Sequence, residues 1–164
     1  SEMCIRDRGE TVQSKSGHAF IKQVMREHNA VYGGEMSAHH YFRDFAYCDS
    51  GMIPWLLTIA LLSETGQSLS TLVENMIAKF PCSGEINFKV ADTQITIQKL
   101  FDHYAAQHPQ IDRTDGVSLD FGIWRFNVRA SNTEPLLRLN IESRGEQARP
   151  MQDYVDELTA LIQA

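Results

Sequence analysis

Trp124-Arg125-Phe126-Asn127-Val128-Arg129 alternates apolar and polar side chains without a break. Two neighbouring runs do the same: Val117, Leu119 and Phe121 oppose Ser118 and Asp120, and Leu137, Leu139 and Ile141 oppose Arg138, Asn140 and Glu142. A period of two puts each set on its own side of an extended strand. Three such runs separated by short turns predict an antiparallel sheet with one covered face and one polar face. The cover comes from a terminal helix with Pro150 near its first turn and a stripe of Met151, Tyr154, Val155, Leu158, Leu161 and Ile162. Upstream, Glu85 to Val90 reads as a further strand, and Ile97, Leu100, Phe101, Tyr104 and Ala105 as a helix that stops before Pro109.

Working back toward the N-terminus, Phe80 to Gly84 is a natural boundary. Before it, Leu69, Leu72, Val73, Met76 and Ile77 mark an amphipathic helix begun by Ser68. Gly51 to Leu62 is apolar nearly all round, which suits a helix buried on several sides, with Pro54 tolerated in its first turn. Ala30-Val31-Tyr32 reads as a short strand stopping at Gly33-Gly34, followed by a polar loop. Phe20, Ile21, Val24, Met25 and His28 give a helix over about residues 17–28, with Ser16 as N-cap. Residues 1–9 carry no periodicity and are read as a frayed or foreign end.

The chain has 164 residues, 43% hydrophobic and 22% charged, with a net charge of −6. This is the composition of a globular protein, not of a disordered or collagenous one. Met52 to Leu62, the longest mostly apolar stretch, is far short of the roughly 20 residues that cross a bilayer. With no apolar leader core after Cys4-Ile5 either, a cytoplasmic setting with no membrane partner is expected. The acidic excess is spread over both halves with no basic stripe, which argues against nucleic acid. Cys4, Cys48 and Cys82 form no framework and are read as reduced thiols, and six methionines as core filling.

Three segments have the makings of a site. Arg129-Ala130-Ser131-Asn132-Thr133-Glu134-Pro135 joins two strands and offers a guanidinium fork, hydroxyls, an amide and backbone N–H groups in one tight turn. That is an anion cradle, although the same letters also suit an ordinary turn with Arg129 on the solvent face. Gly33-Gly34-Glu35-Met36-Ser37-Ala38-His39-His40 follows the short strand, where open α/β sheets place ligands. Glu35 could accept from two neighbouring hydroxyls while Ser37 and His39 engage others. It could equally be a solvated loop with packed histidines. Lys15-Ser16-Gly17-His18 sits at a helix N-terminus, which favours an anion, or is simply a capped helix beside an exposed lysine.

No metal site is expected. Adjacent His39 and His40 lack partners at ligand spacing, and Asp112, Asp115 and Asp120 show no D-x-D pattern, Asp115-Gly116 reading as a turn. Tyr41, Phe42, Phe45 and Tyr47 around Arg43, Asp44 and Asp49 read as a packed aromatic cluster, with a recognition loop as the other choice.

In order and spacing these three segments resemble the α-D-phosphohexomutases over about residues 10–164. The run His39-His40-Tyr41-Phe42-Arg43-Asp44-Phe45-Ala46-Tyr47-Cys48-Asp49-Ser50-Gly51 looks most like bacterial phosphomannomutases that feed GDP-mannose and exopolysaccharide synthesis. The family has four domains. The resemblance implies that residues 10–80 are the C-terminal part of an α/β sugar-binding third domain. Residues 84–164 would be a small α+β fourth domain, an antiparallel sheet covered by two helices. It further implies that Glu35, Ser37 and His39 hold pyranose hydroxyls, and that Arg129, Ser131, Asn132 and Thr133 hold the phosphate that is not reacting. Lys15 and His18 would help proton transfer.

The family's T-A-S-H-N-P serine loop and D-G-D-x-D-R magnesium loop do not occur in the chain, so no catalytic residue and no metal ligand is expected in it. On the resemblance the chain is a fragment, inactive alone, of an enzyme interconverting mannose 6-phosphate and mannose 1-phosphate. Its partners would be a hexose phosphate and the N-terminal domains of the same enzyme. Magnesium, and hexose 1,6-bisphosphate as activator or intermediate, would belong to that whole. A phosphoglucomutase or bifunctional fragment, and a non-catalytic module binding anions or sugar phosphates, are the alternatives.

Overall fold

The computed structural model describes residues 10–35, 37–131, 135–145 and 147–164. The chain divides after Ser68 into two compact units. The expected frayed end, residues 1–9, lies outside the described residues.

The first unit opens with α1, His18–Glu27. Its apolar stripe buries Ile21 and Met25 against Tyr41, with Ala30 and Tyr47 packed alongside. Of the expected aromatic cluster, therefore, Tyr41 is the member that is fully buried, while Phe45 is half exposed. A three-stranded antiparallel sheet comes next: β1 Tyr32–Gly34, β2 His40–Phe42 and β3 Cys48–Asp49, in the order β1-β2-β3.

Two local expectations are corrected here. The first strand ends at the glycines but includes both of them, starting at Tyr32 rather than Ala30. A Cβ at Gly33 would stand 2.7 Å from Met25 Sδ and 3.1 Å from Ile21 Cγ2, so the missing side chain is what lets β1 lie on α1. The polar loop is the short connection of a hairpin, with Gly34 opposite His40, so Glu35 leaves an antiparallel strand rather than an open parallel edge.

Helix α2, Met52–Thr65, begins where expected, with Pro54 in its first turn. Gly66 ends it in the left-handed conformation, donating to Leu62 O at 3.0 Å. Its burial is not as expected. None of its residues is buried, and Met52, Trp55, Leu56, Leu57, Ile59 and Leu61 are exposed. An all-round apolar sequence records what a helix can pack against, and this chain leaves that surface uncovered.

In the second unit α3, Leu69–Lys79, also buries no residue. The sequence groups it with the preceding helix, whereas compactness groups it with the C-terminal unit. Beyond it β4 Cys82–Phe88, β5 Gln110–Asp112, β6 Val117–Asp120, β7 Trp124–Ala130 and β8 Leu137–Ser143 form one sheet. Its order is β4-β8-β7-β6-β5, and every neighbouring pair is antiparallel. Alternation is obeyed along β6, β8 and most of β7: in β8 Leu137, Leu139 and Ile141 are buried while Arg138, Asn140 and Glu142 are half-buried.

Helix α4, Thr93–Tyr104, is capped by the Asp92 side chain, which accepts from the backbone N–H groups of Gln94 and Ile95. With α5, Met151–Gln163, it covers the apolar face. Leu100, Tyr104, Tyr154 and Leu158 meet Leu119, Phe126, Val128 and Ile141 there. Strand β4 starts earlier than its pattern suggested, at Cys82, because a bulge between Cys82 and Glu85 breaks the alternation.

Candidate functional site

The loop after β1 is tied from two directions. The Glu35 N–H donates to His39 O at 3.0 Å and the Ala38 N–H to Glu35 O at 3.0 Å, closing the hairpin. The Glu35 carboxylate then reaches out of the loop. Oε1 accepts the Gly17 N–H at 3.0 Å, and Oε2 accepts the Tyr41 hydroxyl at 3.3 Å. This corrects the N-terminus of α1: Gly17, not Ser16, is the N-cap residue, and its own backbone N–H is taken by a carboxylate from a distant loop, the contact that a capping-box glutamate makes. The Gly17 contact brings the backbone of the Lys15-to-His18 segment to the Glu35 side chain.

Tyr41 stays a donor, since burial and then the charge of Glu35 push its hydroxyl up from the usual 10.0. Each Glu35 oxygen has a second lone pair, so the carboxylate can still accept from a ligand hydroxyl.

His39 Nδ1 lies 2.6 Å from Asp49 Oδ2, and Asp49 Oδ1 accepts the His40 N–H at 3.0 Å. The hydrogen bond to Asp49 and that residue's charge raise His39 above the usual 6.5, with Glu35 adding a smaller push. With Nδ1 committed to the carboxylate, Nε2 is the ring nitrogen left to engage another group. His40 is engaged differently, its Nδ1 2.6 Å from the Tyr32 hydroxyl, its ring stacked on Tyr32. Ser37, Lys15 and His18 are exposed, Lys15 Nζ standing 6.0 Å over the Phe20 ring and His18 opening α1.

In the second unit the β7–β8 connection is closed by the Ser131 N–H donating to Leu136 O at 2.8 Å. Asn132 and Thr133, the other two expected phosphate ligands, lie outside the described residues. Arg129, near the end of β7, is not the solvent-facing side chain of an ordinary turn, being only 16% exposed. Its Nη2 is 3.3 Å from Glu85 Oε2, and Asp115 Oδ2 lies further off, 3.9 Å from Nε. Arg138 stands directly opposite Arg129 on β8, with Nη1 3.3 Å from Glu85 Oε1. Two guanidiniums thus share one carboxylate.

The same polar face carries Arg125 paired with Glu142 at 2.8 Å. Asn127 on that face donates to Asp115 O and Ser118 Oγ. At the other end of the sheet a groove of ~460 Å³ is lined by His108, Asp120, Phe121 and Arg144 among others, with Arg144 paired to Asp120 at 3.4 Å.

Sequence reading missed Asp49, Glu85 and Arg138 as members of these groups. Asp49 and Glu85 are separated from their partners by turns and strand register, which no local motif records. Arg138 was visible as a polar-face residue, but its position opposite Arg129 depends on that same register.

Among the described residues no three His, Cys, Asp or Glu side chains gather as metal ligands. The described residues therefore do not fit a magnesium site. Among them, too, no helix is long and apolar enough to cross a membrane.

Two family models match the chain. "Phosphoglucomutase/phosphomannomutase, alpha/beta/alpha domain III" matches residues 1–80, and "Phosphoglucomutase/phosphomannomutase, C-terminal domain" residues 85–160. A protein of Xanthomonas campestris pv. campestris named "Phosphohexose mutases" is 65% identical over 140 residues, 85% of this chain and 31% of the relative. Proteins named "Phosphomannomutase" are 59% identical in Salmonella montevideo, over 84% of this chain and 30% of the relative, and 57% in Vibrio cholerae, over 94% and 33%. The chain therefore spans about a third of the length of these relatives. Among solved structures, a phosphoglucomutase/phosphomannomutase family protein of Burkholderia thailandensis shares the fold. Its TM-score is 0.69 at 23% identity, over 97% of this chain and 34% of that one.

Proposed function

The chain belongs to the phosphoglucomutase/phosphomannomutase family, and on that premise we propose that it is the C-terminal part of a phosphomannomutase. The enzyme would interconvert mannose 6-phosphate and mannose 1-phosphate by phosphoryl transfer through a phosphoserine that this chain does not contain. Glu35, Ser37 and His39 take the sugar hydroxyls. Arg129, Ser131, Asn132 and Thr133 take the phosphate that is not reacting, and Lys15 and His18 assist proton transfer. Arg129 carries the reading: its guanidinium is held in place beside a hairpin loop closed by Ser131 N–H to Leu136 O at 2.8 Å, which is what recognition of a phosphate by a fork and short donors requires.

The chemistry is consistent with a mutase. Such an enzyme binds a 1-phosphate and a 6-phosphate alternately, so one fixed cradle for the idle phosphate serves both orientations of the sugar. Binding energy gathered there, remote from the reacting phosphorus, is available for positioning in the transition state. Alone, the chain binds and does not turn over. Magnesium and hexose 1,6-bisphosphate belong to the longer enzyme, a cytoplasmic one on this reading.

Its partners are then the N-terminal domains of the same protein, and the uncovered apolar side chains of α2, Trp55, Leu56 and Leu57 among them, support this. The relatives' names favour mannose over glucose phosphate. Titrating the chain with mannose 1-phosphate and following backbone amides by NMR tests the assignment. Shifts at both Glu35 and Ser131 are expected, with inorganic phosphate moving Ser131 and leaving Glu35 still. Shifts at one loop alone, or at neither, would turn the reading toward a simple anion-binding module.

A further inference from the structure

Glu85 is not among the residues assigned to the sugar or the phosphate, yet it is the residue through which Arg129 is held. Its carboxylate is shared by two arginines: Oε2 accepts from Arg129 Nη2 at 3.3 Å and from Arg138 Nη1 at 3.4 Å, and Oε1 also lies 3.3 Å from Arg138 Nη1. All three side chains are at least three-quarters covered: 16% of Arg129, 25% of Arg138 and 25% of Glu85 are exposed. Arg129 and Arg138 are direct cross-strand partners on β7 and β8. Like charges so placed repel, the more so where water is partly excluded. The carboxylate between them turns that repulsion into a shared contact.

The placement comes from the bulge in β4. Cys82 pairs with Glu142 but Glu85 with Asn140, a shift of register between the two. Because a one-residue shift exchanges the faces of a strand, the bulge decides that Glu85 faces the two arginines. From the β5–β6 side, Asp115 Oδ2 stands 3.9 Å from Arg129 Nε. Gly116 comes so close that a Cβ there would be 2.5 Å from Arg129 Cβ. Glu85, Arg138 and the Asp115-Gly116 turn therefore all bear on Arg129.

We propose that Glu85 is a positioning residue of the phosphate site: it ties Arg129 to Arg138 and fixes the direction of the Arg129 fork. This rests on Arg129 being a phosphate ligand. The sign of one substitution separates positioning from plain electrostatics. Removing a negative charge from beside an anion site strengthens anion binding if charge alone matters. If Glu85 positions Arg129, Glu85→Gln weakens it, because two unrestrained guanidiniums push apart.

The test uses the 164-residue chain, mannose 1-phosphate as ligand, and the Nε–Hε resonance of Arg129 alongside the binding curve. E85Q is expected to weaken binding by about fivefold or more and to move the Arg129 Nε–Hε signal toward that of an exposed arginine. The double variant E85Q/R138Q, which removes the repelling partner and restores the original net charge, is expected to return within about twofold of the unaltered chain. The dispersion of the E85Q amide spectrum, unchanged from the unaltered chain, is the control that excludes a merely unfolded variant. Binding by E85Q that is equal or tighter, or a double variant as weak as the single one, overturns the proposal. R129Q is read separately. If it binds mannose 1-phosphate as well as the unaltered chain does, the phosphate assignment of Arg129 itself falls, whatever E85Q shows.

Discussion

Asp49 accepts from His39 at 2.6 Å across the β2–β3 hairpin, and its other oxygen takes the His40 N–H at 3.0 Å. The carboxylate is thereby lowered from its usual 3.8, by the His39 bond first and the His40 bond second, and His39 is raised from 6.5. The signs bracket a window. The contribution of His39 is complete below its unfolded value and fades as pH rises through its raised folded one. That of Asp49 is complete above its unfolded value and fades as pH falls through its lowered folded one. The pair is therefore fully made between the unfolded values of the two groups. Both side chains are well exposed, so solvent screens the effect and the readout is titration rather than stability. The His39 Cε1–H signal is expected to titrate with a midpoint above 6.5 and to fall back toward it in Asp49→Asn. A midpoint at or below 6.5 in the unaltered chain would contradict the pairing.

Gly116 has φ +74°, and a Cβ there would stand 2.3 Å from Val128 O and 2.5 Å from Arg129 Cβ. Val128 and Arg129 lie in β7, at the centre of the five-stranded sheet, and cannot yield without disturbing both neighbours. Gly116→Ala is therefore expected to cost about 2 to 4 kcal/mol, combining an unfavourable backbone region with a backbone clash. Thermal unfolding of the second unit should fall by roughly 10 °C or more. A change of a degree or two would mean that the turn simply opens.

Most of the second unit was legible because its strands alternate and its helices carry stripes: Leu137, Leu139 and Ile141 are buried as their period demands. β5, Gln110–Asp112, was not legible. An edge strand of three residues offers too few positions to show a period. The β1–β2 hairpin is hidden for a related reason, since paired glycines signal a turn from the sequence while here Gly33 signals contact with Met25. Of the site, Arg129 and Glu35 could be singled out by residue type and spacing. Glu85, Asp49 and Arg138 could not, because their roles come from register, and register is set by a bulge and by turn lengths rather than by any local string of letters.

Arg129→Ala in the longer enzyme tests the phosphate assignment at the level of catalysis. The loss of a charge-assisted fork that strengthens in the transition state is expected to cost about 2 to 4 kcal/mol in kcat/KM. It also leaves Glu85 with Arg138 as its remaining guanidinium partner, so the fold should persist, and unchanged unfolding behaviour is the control. An unaltered kcat/KM would remove Arg129 from the cradle.

The apolar surface of α2 makes the partner assignment measurable. Leu57 is 59% exposed, so in the 164-residue chain Leu57→Lys removes almost no packing and should change stability by no more than about 0.5 kcal/mol. If the N-terminal domains cover α2 in the longer enzyme, the same substitution places a charge against apolar surface there, at a cost of about 2 kcal/mol or more. The comparison of the two unfolding curves is the measurement, because each protein supplies the control for the other. A small change in both would show that α2 stays open to solvent in the whole enzyme. A large change in the 164-residue chain itself would instead mean that Leu57 is covered in solution by a second copy, which dilution would reveal as a concentration-dependent Tm.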